Sequence, residues 1–407
     1  MCARQAICIV VDGLRAGALG TYGNTNYSTP RLDELASRST VVEWFWADSP
    51  HLARFYRGVW QGVHALRDKA PAGHASLREL LGQAGIGRRL ITDDSTLAEQ
   101  PGPERFDKVV CVVTAAEKAA EEISETALGQ FSSAALERLA EWKNDSPGGL
   151  TWLHSRGLFG PWDAPHELRA AQLDEEDPPP AEFLSPPVEL RGVDDPDALL
   201  VHRAAYAAQV AVFDICVGAL CQGIEELAAG SETLVMLLGS RGFALGEHGN
   251  VGGECRELYG ERLHLPWLLH VCGDNVPRPR LAGLAQPADV GATLLEWFGV
   301  GTGETTSDGR SVLEGADAWR QLAVAVGDEG ERSIRTPAWL LRQAGGESQP
   351  QLFAKPDDRW ESNDIAIRCP QVVEQLHDVL AKFEQCCREG RPLPADALDE
   401  ELVTPSR

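Results

Sequence analysis

The sequence predicts an α/β fold: a mostly parallel sheet sandwiched by helices, followed by a small C-terminal α+β subdomain. Three observations carry this. Short apolar runs bounded by turn residues recur at 6–11, 108–113, 150–154, 233–238 and 265–272, and helical patterns lie between them at 76–84, 115–142 and 197–228. The runs are near-continuous rather than alternating, as expected of strands buried on both faces, and strands alternating with helices favour a helix-covered parallel sheet. Hydrophobic residues make up 43% of the 407, enough to fill a sizeable core.

The first run ends in Val10-Val11-Asp12-Gly13-Leu14-Arg15. Ligands gather at the carboxyl ends of strands in open α/β sheets, and an Asp there either binds a cation or caps the next helix. Asp93-Asp94, after Leu90-Ile91, reads as a strand-end turn, and His154 at the end of its run reads as a core histidine. Residues 174–195 are rich in proline and acid and read as a surface excursion before the long helix. Past a Gly- and acid-rich stretch at 326–332 the pattern changes to short apolar segments at 337–342 and 351–354 and a helix at 371–387. The expected division is 1–323 for the main domain, 324–395 for the small subdomain and 396–407 for a frayed tail.

Lys+Arg is 37 and Asp+Glu 61, a net charge of −24. That excess disfavours nucleic acid and an electrostatic membrane anchor. No apolar stretch reads as reaching the roughly 18–20 residues of a spanning helix. The first run is too short for a signal-peptide core, so a cytoplasmic location is expected. Ten cysteines occur without CxxC pairs, and Cys8, Cys111, Cys216 and Cys272 sit in apolar runs as small core residues, so reduced thiols are expected. Trp44 and Trp46 read as packing residues or, alternatively, a sugar platform.

Several motifs occur in a fixed order. Asp12-Gly-Leu-Arg15 is followed by Tyr22-Gly23 and Thr29-Pro30-Arg-Leu-Asp33-Glu-Leu-Ala36. Then come Thr151–His154 with Gly160-Pro161-Trp162, Tyr206 to Asp214 and Gly218, Gly239–Gly242 with Gly246-Glu-His-Gly249, and Leu263-His-Leu-Pro266. This series resembles the sulfatase family of the alkaline-phosphatase superfamily over most of the chain. The resemblance implies sulfuric-ester hydrolysis by a formylglycine, made from Cys or Ser in a Cys-x-Pro-x-Arg signature, with a divalent cation, commonly calcium. The chemistry needs a nucleophile, a cation on the ester oxygens and donors for developing charge.

The implied groups are largely absent. Setting Ser49-Pro50 and Gly62 on the family's landmarks puts Leu52 at the nucleophile, Arg54 at the Pro and Tyr56 at the Arg. Gly239-Ser240-Arg241-Gly242 stands where the family has Ser-Asp-His-Gly, and Phe159 where it often has a sulfate-contacting His. Gly13 replaces a second Asp found in many members, and Cys255 falls near a usual Lys, with Arg256 adjacent. The expectation is a catalytically impaired sulfatase-like protein with no resident calcium or formylglycine, Asp12 being the residual metal ligand. Its cleft would serve a small anionic or zwitterionic ligand, or a partner, through Asp12, Arg54, Arg57, Arg241, His248 and Arg256. Two alternatives stand beside it. One is an active sulfatase or phosphoester-type hydrolase using Ser49, His51 or Tyr56. The other is a non-enzymatic partner of an active paralogue, or an oligomer.

Overall fold

In the computed structural model the first apolar run becomes the strand Arg4–Val11, flanked by Glu232–Gly239 on one side and Gly149–Ser155 on the other. The structure describes residues 4–99, 106–145, 148–274, 278–301, 307–314, 320–346, 348–394 and 398–404. It divides into two compact units, one of Met1–Val41, Gly85–Cys255 and Leu265–Arg280, the other of Val42–Ala84, Arg256–His264 and Leu281–Arg407.

The sheet of the first unit runs Trp267–Val271, Glu232–Gly239, Arg4–Val11, Gly149–Ser155, Arg88–Thr92, Lys108–Cys111. Every neighbouring pair is parallel except the first, so the mostly parallel sheet read from the sequence is the one observed. Ile7, Ile9 and Val11 share a core with Leu139 of helix Ala127–Asp145 and Val210, Val217 and Ile224 of helix Pro196–Ala228. The long helix starts where Asp195 caps the Asp197 N–H and Pro196 occupies the first turn. Midway along it, the Asp214 carboxylate accepts from the backbone N–H groups of Arg31 and Leu32, at 3.2 and 2.8 Å. It thereby ties down the start of helix Pro30–Ser37.

The second unit packs helix Leu52–Gln61 near Pro287–Phe298, where Gly58 leaves room for Pro287. A four-stranded antiparallel sheet follows: Ala323–Val326, Arg332–Arg335, Trp339–Gln343 and Gln351–Ala354. Helix Pro370–Arg388 covers it, burying Val372, Leu376, Leu380, Phe383 and Cys387 at helical spacing. The C-terminal residues therefore share a unit with residues 42–84 as well as with each other.

Four sequence readings change. The helix expected at 115–142 begins only at Ala127. Gln130 turns back to bond both backbone groups of Ala115, and the Thr126 hydroxyl accepts from Gly129 N–H, fixing the start later. The strands Thr40–Trp46 and Arg88–Thr92 were not among the apolar runs, because polar residues interrupt them. Cys111 is exposed rather than core, because its strand forms the sheet edge, and Cys272 is half-buried. Finally, helix Pro196–Ala228 is long and apolar enough to cross a membrane by length and composition, contrary to the sequence reading, but most of that stretch is buried in the fold. Its apolar character is that of a central core helix.

Candidate functional site at the end of the first strand

Strand register builds this site. Val11 stands opposite Gly239 on one neighbouring strand and Ser155 on the other. The next residues, Asp12 and Ser240, must then emerge side by side at the carboxyl edge. Two backbone bonds fix them there, Asp12 N–H to Ser155 O at 3.0 Å and Ser240 N–H to Val11 O at 3.1 Å.

The Asp12 carboxylate is almost wholly buried, its side chain 3% exposed. Arg241 grips it at two points: Nε donates to Oδ1 at 2.9 Å and Nη2 donates to Oδ2. The Ser240 hydroxyl donates to Oδ1 at 2.9 Å. Burial pushes the Asp12 carboxyl up, but the Arg241 charge and hydrogen bonds outweigh it and hold the group below the usual carboxylate range. For Arg241 burial acts to lower the pKa, but the Asp12 and Glu254 charges outweigh it and hold the guanidinium above its ordinary value. The remaining Nη1 donates to Glu254 at 2.9 Å.

Phe159 roofs the pair, with the Arg241 guanidinium 4.0 Å from its ring centre. The ring needs two glycines. A Cβ at Gly13 would come within 2.7 Å of the ring, and one at Gly253 within 2.4 Å. Gly13 also has φ +81°, which only glycine adopts without strain. Four separate segments are thus fitted around one ion pair.

His154 lies behind Asp12, fully buried, and burial pulls its imidazole down to about 4, so it stays neutral. Asp93 accepts from the Ser155 hydroxyl at 3.0 Å and Arg156 N–H at 2.7 Å, and Asp94 caps the helix Ser95–Ala98. The strand-end turn read from the sequence is what forms. Among the described residues no group of three or more His, Cys, Asp or Glu converges as a metal-holding set.

A second buried pair escaped the sequence reading. Arg15 donates to Glu247 at 2.5 Å and to Phe243 O at 3.3 Å, and its guanidinium lies over the Tyr206 ring. Glu247 also accepts from Leu245 N–H, so the pair pins the turn that carries His248. An arginine four residues past a buried strand was the available signal, but its partner is 232 residues away.

Asp12, Phe159, Ser240 and Arg241 therefore come together, while other sequence-derived residues belong to the second unit. Leu52 opens the helix Leu52–Gln61, half-buried, with Arg54 and Arg57 on the following turns. Arg54 donates to Val326 O at 3.5 Å. Arg256 is exposed and pairs with the exposed Glu329 at 2.8 Å. Ser49 is buried and accepts from His51 N–H, His51 pairs with Asp328, and Tyr56 is buried and stacked on Trp60. Trp46 is buried and Trp44 stacks on His264, so both tryptophans pack.

Residues 4–300 match the sulfatase family model. The chain belongs to the sulfatase family. That family lies in the alkaline phosphatase superfamily, and this member resembles solved structures along nearly its whole length. A phosphonate monoester hydrolase of Silicibacter pomeroyi superposes with a TM-score of 0.73 at 14% identity, covering 94% of this chain and 95% of that one. The phosphonate monoester hydrolase of Agrobacterium radiobacter gives 0.71 at 15%, covering 93% and 95%. A 2-O GAG sulfatase gives 0.68 at 15%, covering 97% and 95%. At these identities the likeness establishes the fold. The multifunctional alkaline phosphatase superfamily protein PehA of Trinickia caryophylli is 30% identical over 117 residues, a stretch that spans 27% of this chain and 21% of that protein.

Proposed function

We propose that this sulfatase-family chain does not hydrolyse sulfuric esters and keeps the fold as a scaffold for binding an anionic or zwitterionic ligand or a partner. The observation that carries the reading is the two-point grip of Arg241 on Asp12 beneath Phe159. A hard divalent cation requires several oxygen ligands, mostly carboxylates. Here the Asp12 carboxylate is engaged on both oxygens, Glu254 is turned to Arg241 as well, and a guanidinium that does not deprotonate stands between them. Calcium does not fit. Leu52 carries no nucleophilic atom, so a formylglycine does not fit either. Losing a nucleophile alone costs several orders of magnitude in rate. The alternative nucleophiles Ser49, His51 and Tyr56 are each engaged in packing or hydrogen bonds.

The test offers the purified chain a chromogenic aryl sulfate, an aryl phosphate and an aryl phosphonate monoester, alongside calcium titration by calorimetry. The expected result is no turnover above background and no saturable calcium heat. Turnover that persists in Leu52→Ala reveals a different nucleophile and overturns the proposal. So does calcium binding that disappears in Asp12→Ala. Co-purification of a homologous chain at fixed ratio selects the partner role over the ligand role.

A further inference from the structure

Away from the Asp12 site, the first unit carries a groove of about 250 Å³ between helices Pro30–Ser37 and Pro196–Ala228. The sequence builds it deliberately. Asp214 fixes the start of the short helix, and Gly218, one turn on, leaves space across the long one. A Cβ at Gly218 would lie 3.0 Å from both Cβ and Cγ of Arg31, so the arginine stem rests on the bare glycine. The groove floor is apolar, made by the buried side chains of Leu35, Val217 and Cys221.

The rim is charged in a balanced way, with Arg31 and Arg38 against Glu34 and Glu225. Part of that charge is already committed. Arg38 Nη1 donates to Glu225 Oε1 at 2.9 Å, and the same oxygen faces His270 Nε2 at 3.1 Å. The rest makes no direct contact: among the described residues the Arg31 guanidinium and the Glu34 carboxylate, one helical turn apart, make no side-chain hydrogen bond or ion pair, although Arg31 lies in the field of the Asp214 carboxylate. Arg38 Nε is buried with no partner.

A simple anion in this groove would meet two carboxylates, and a simple cation would meet two guanidiniums. We propose that the groove binds a small zwitterion with an aliphatic body, the class of a free aliphatic α-amino acid. Its carboxylate takes the exposed Arg31 guanidinium, its ammonium takes Glu34, and its side chain lies on Leu35, Val217 and Cys221. The volume sits just below the ordinary range of ligand sites, which suits a molecule of amino-acid size. This inference is independent of whether the Asp12 site has lost catalysis.

The experiment is calorimetric titration of the full chain with L-leucine, with 4-methylpentanoate and isoamylamine as the anion-only and cation-only probes. L-leucine is expected to give saturable heat, and each single-charge probe to bind at least roughly tenfold more weakly. Arg31→Gln, which keeps most of the stem on Gly218, and Glu34→Gln, both at exposed positions, are each expected to weaken leucine at least roughly tenfold while leaving the melting temperature unchanged. Absence of saturable leucine heat overturns the proposal. So does 4-methylpentanoate binding as tightly as leucine, or leucine affinity unchanged in both variants.

Discussion

Replacing Arg241 with alanine tests the central ion pair directly. In the intact chain the Asp12 and Arg241 side chains are 3% and 12% exposed, so solvent screens their interaction poorly. Truncation leaves the Asp12 carboxylate buried with only the Ser240 hydroxyl as a side-chain donor. Removing one partner of a buried pair costs about 3–5 kcal/mol, and loss of the contact with Phe159 adds about 0.5–2 kcal/mol. The expected loss at pH 7 is therefore about 5 kcal/mol, read by urea unfolding. The deficit should narrow as pH falls. With Arg241 present, the lowered Asp12 pKa contributes stability that is present above pH 3.8 and lost as pH drops through the folded value. Without Arg241, burial alone raises that pKa, and the acid is accommodated neutral at low pH. Removing both charges in Asp12→Asn with Arg241→Met should recover most of the loss, because no buried charge is then left unpaired. An Arg241→Ala variant within about 1 kcal/mol of the parent at pH 7, or an additive double variant, would refute the reasoning.

Three further outcomes are expected. Burial lifts the Asp48 carboxyl to about 7, so its contribution is full below pH 3.8 and fades as pH rises through 7; between pH 5 and 8 the parent should lose about 3 kcal/mol relative to Asp48→Asn, measured by denaturant titration at each pH. His64 and His154 are buried and His264 half-buried, and burial draws each down to about 4, so their contribution is present above pH 6.5 and falls as pH drops towards 4; each adds about one proton of uptake to unfolding near pH 5, against the release from Asp48 and Asp93, so His64→Gln should change the slope of stability against pH there by about one proton, and an unchanged slope contradicts its burial as a neutral ring. Arg335 is fully buried; among the described residues its guanidinium bonds only Trp339 O, at 3.4 Å, and it stacks on Trp44, and burial pulls it down to about 9 against the more distant Glu361 charge; Arg335→Met should leave the protein as stable or more so by about 1–3 kcal/mol in thermal unfolding, and a clear loss would mean that the Glu361 charge outweighs the cost of burial.

The architecture was legible because its signals are local. Near-continuous apolar runs such as 6–11 and 233–238 mark strands whatever they pair with, and Asp195-Pro196 marks a helix start. The readings that failed depended on distant contacts. The start of helix Ala127–Asp145 is fixed by Gln130 bonding back to Ala115, and the exposure of Cys111 follows from its strand lying at the sheet edge. The interrupted strands Thr40–Trp46 and Arg88–Thr92 carry polar residues that the sheet tolerates only in its particular pairings.

At the candidate site the division is sharper. The sequence by itself determined which groups exist: Leu52 at the expected nucleophile, and Ser240 and Arg241 in the loop where the family resemblance leads one to expect Asp and His. It also determined that an acid, Asp12, remained at the strand end. Only the tertiary structure decided that Arg241, 229 residues away, folds onto that acid instead of reaching solvent. The physical reason is the parallel register of Val11 with Gly239, which no local periodicity encodes and which sets the next residues edge to edge. The register of Val11 with Ser155 on the other side brought the loop of Phe159 to the guanidinium and gave Gly13 and Gly253 their meaning, as the space its ring requires.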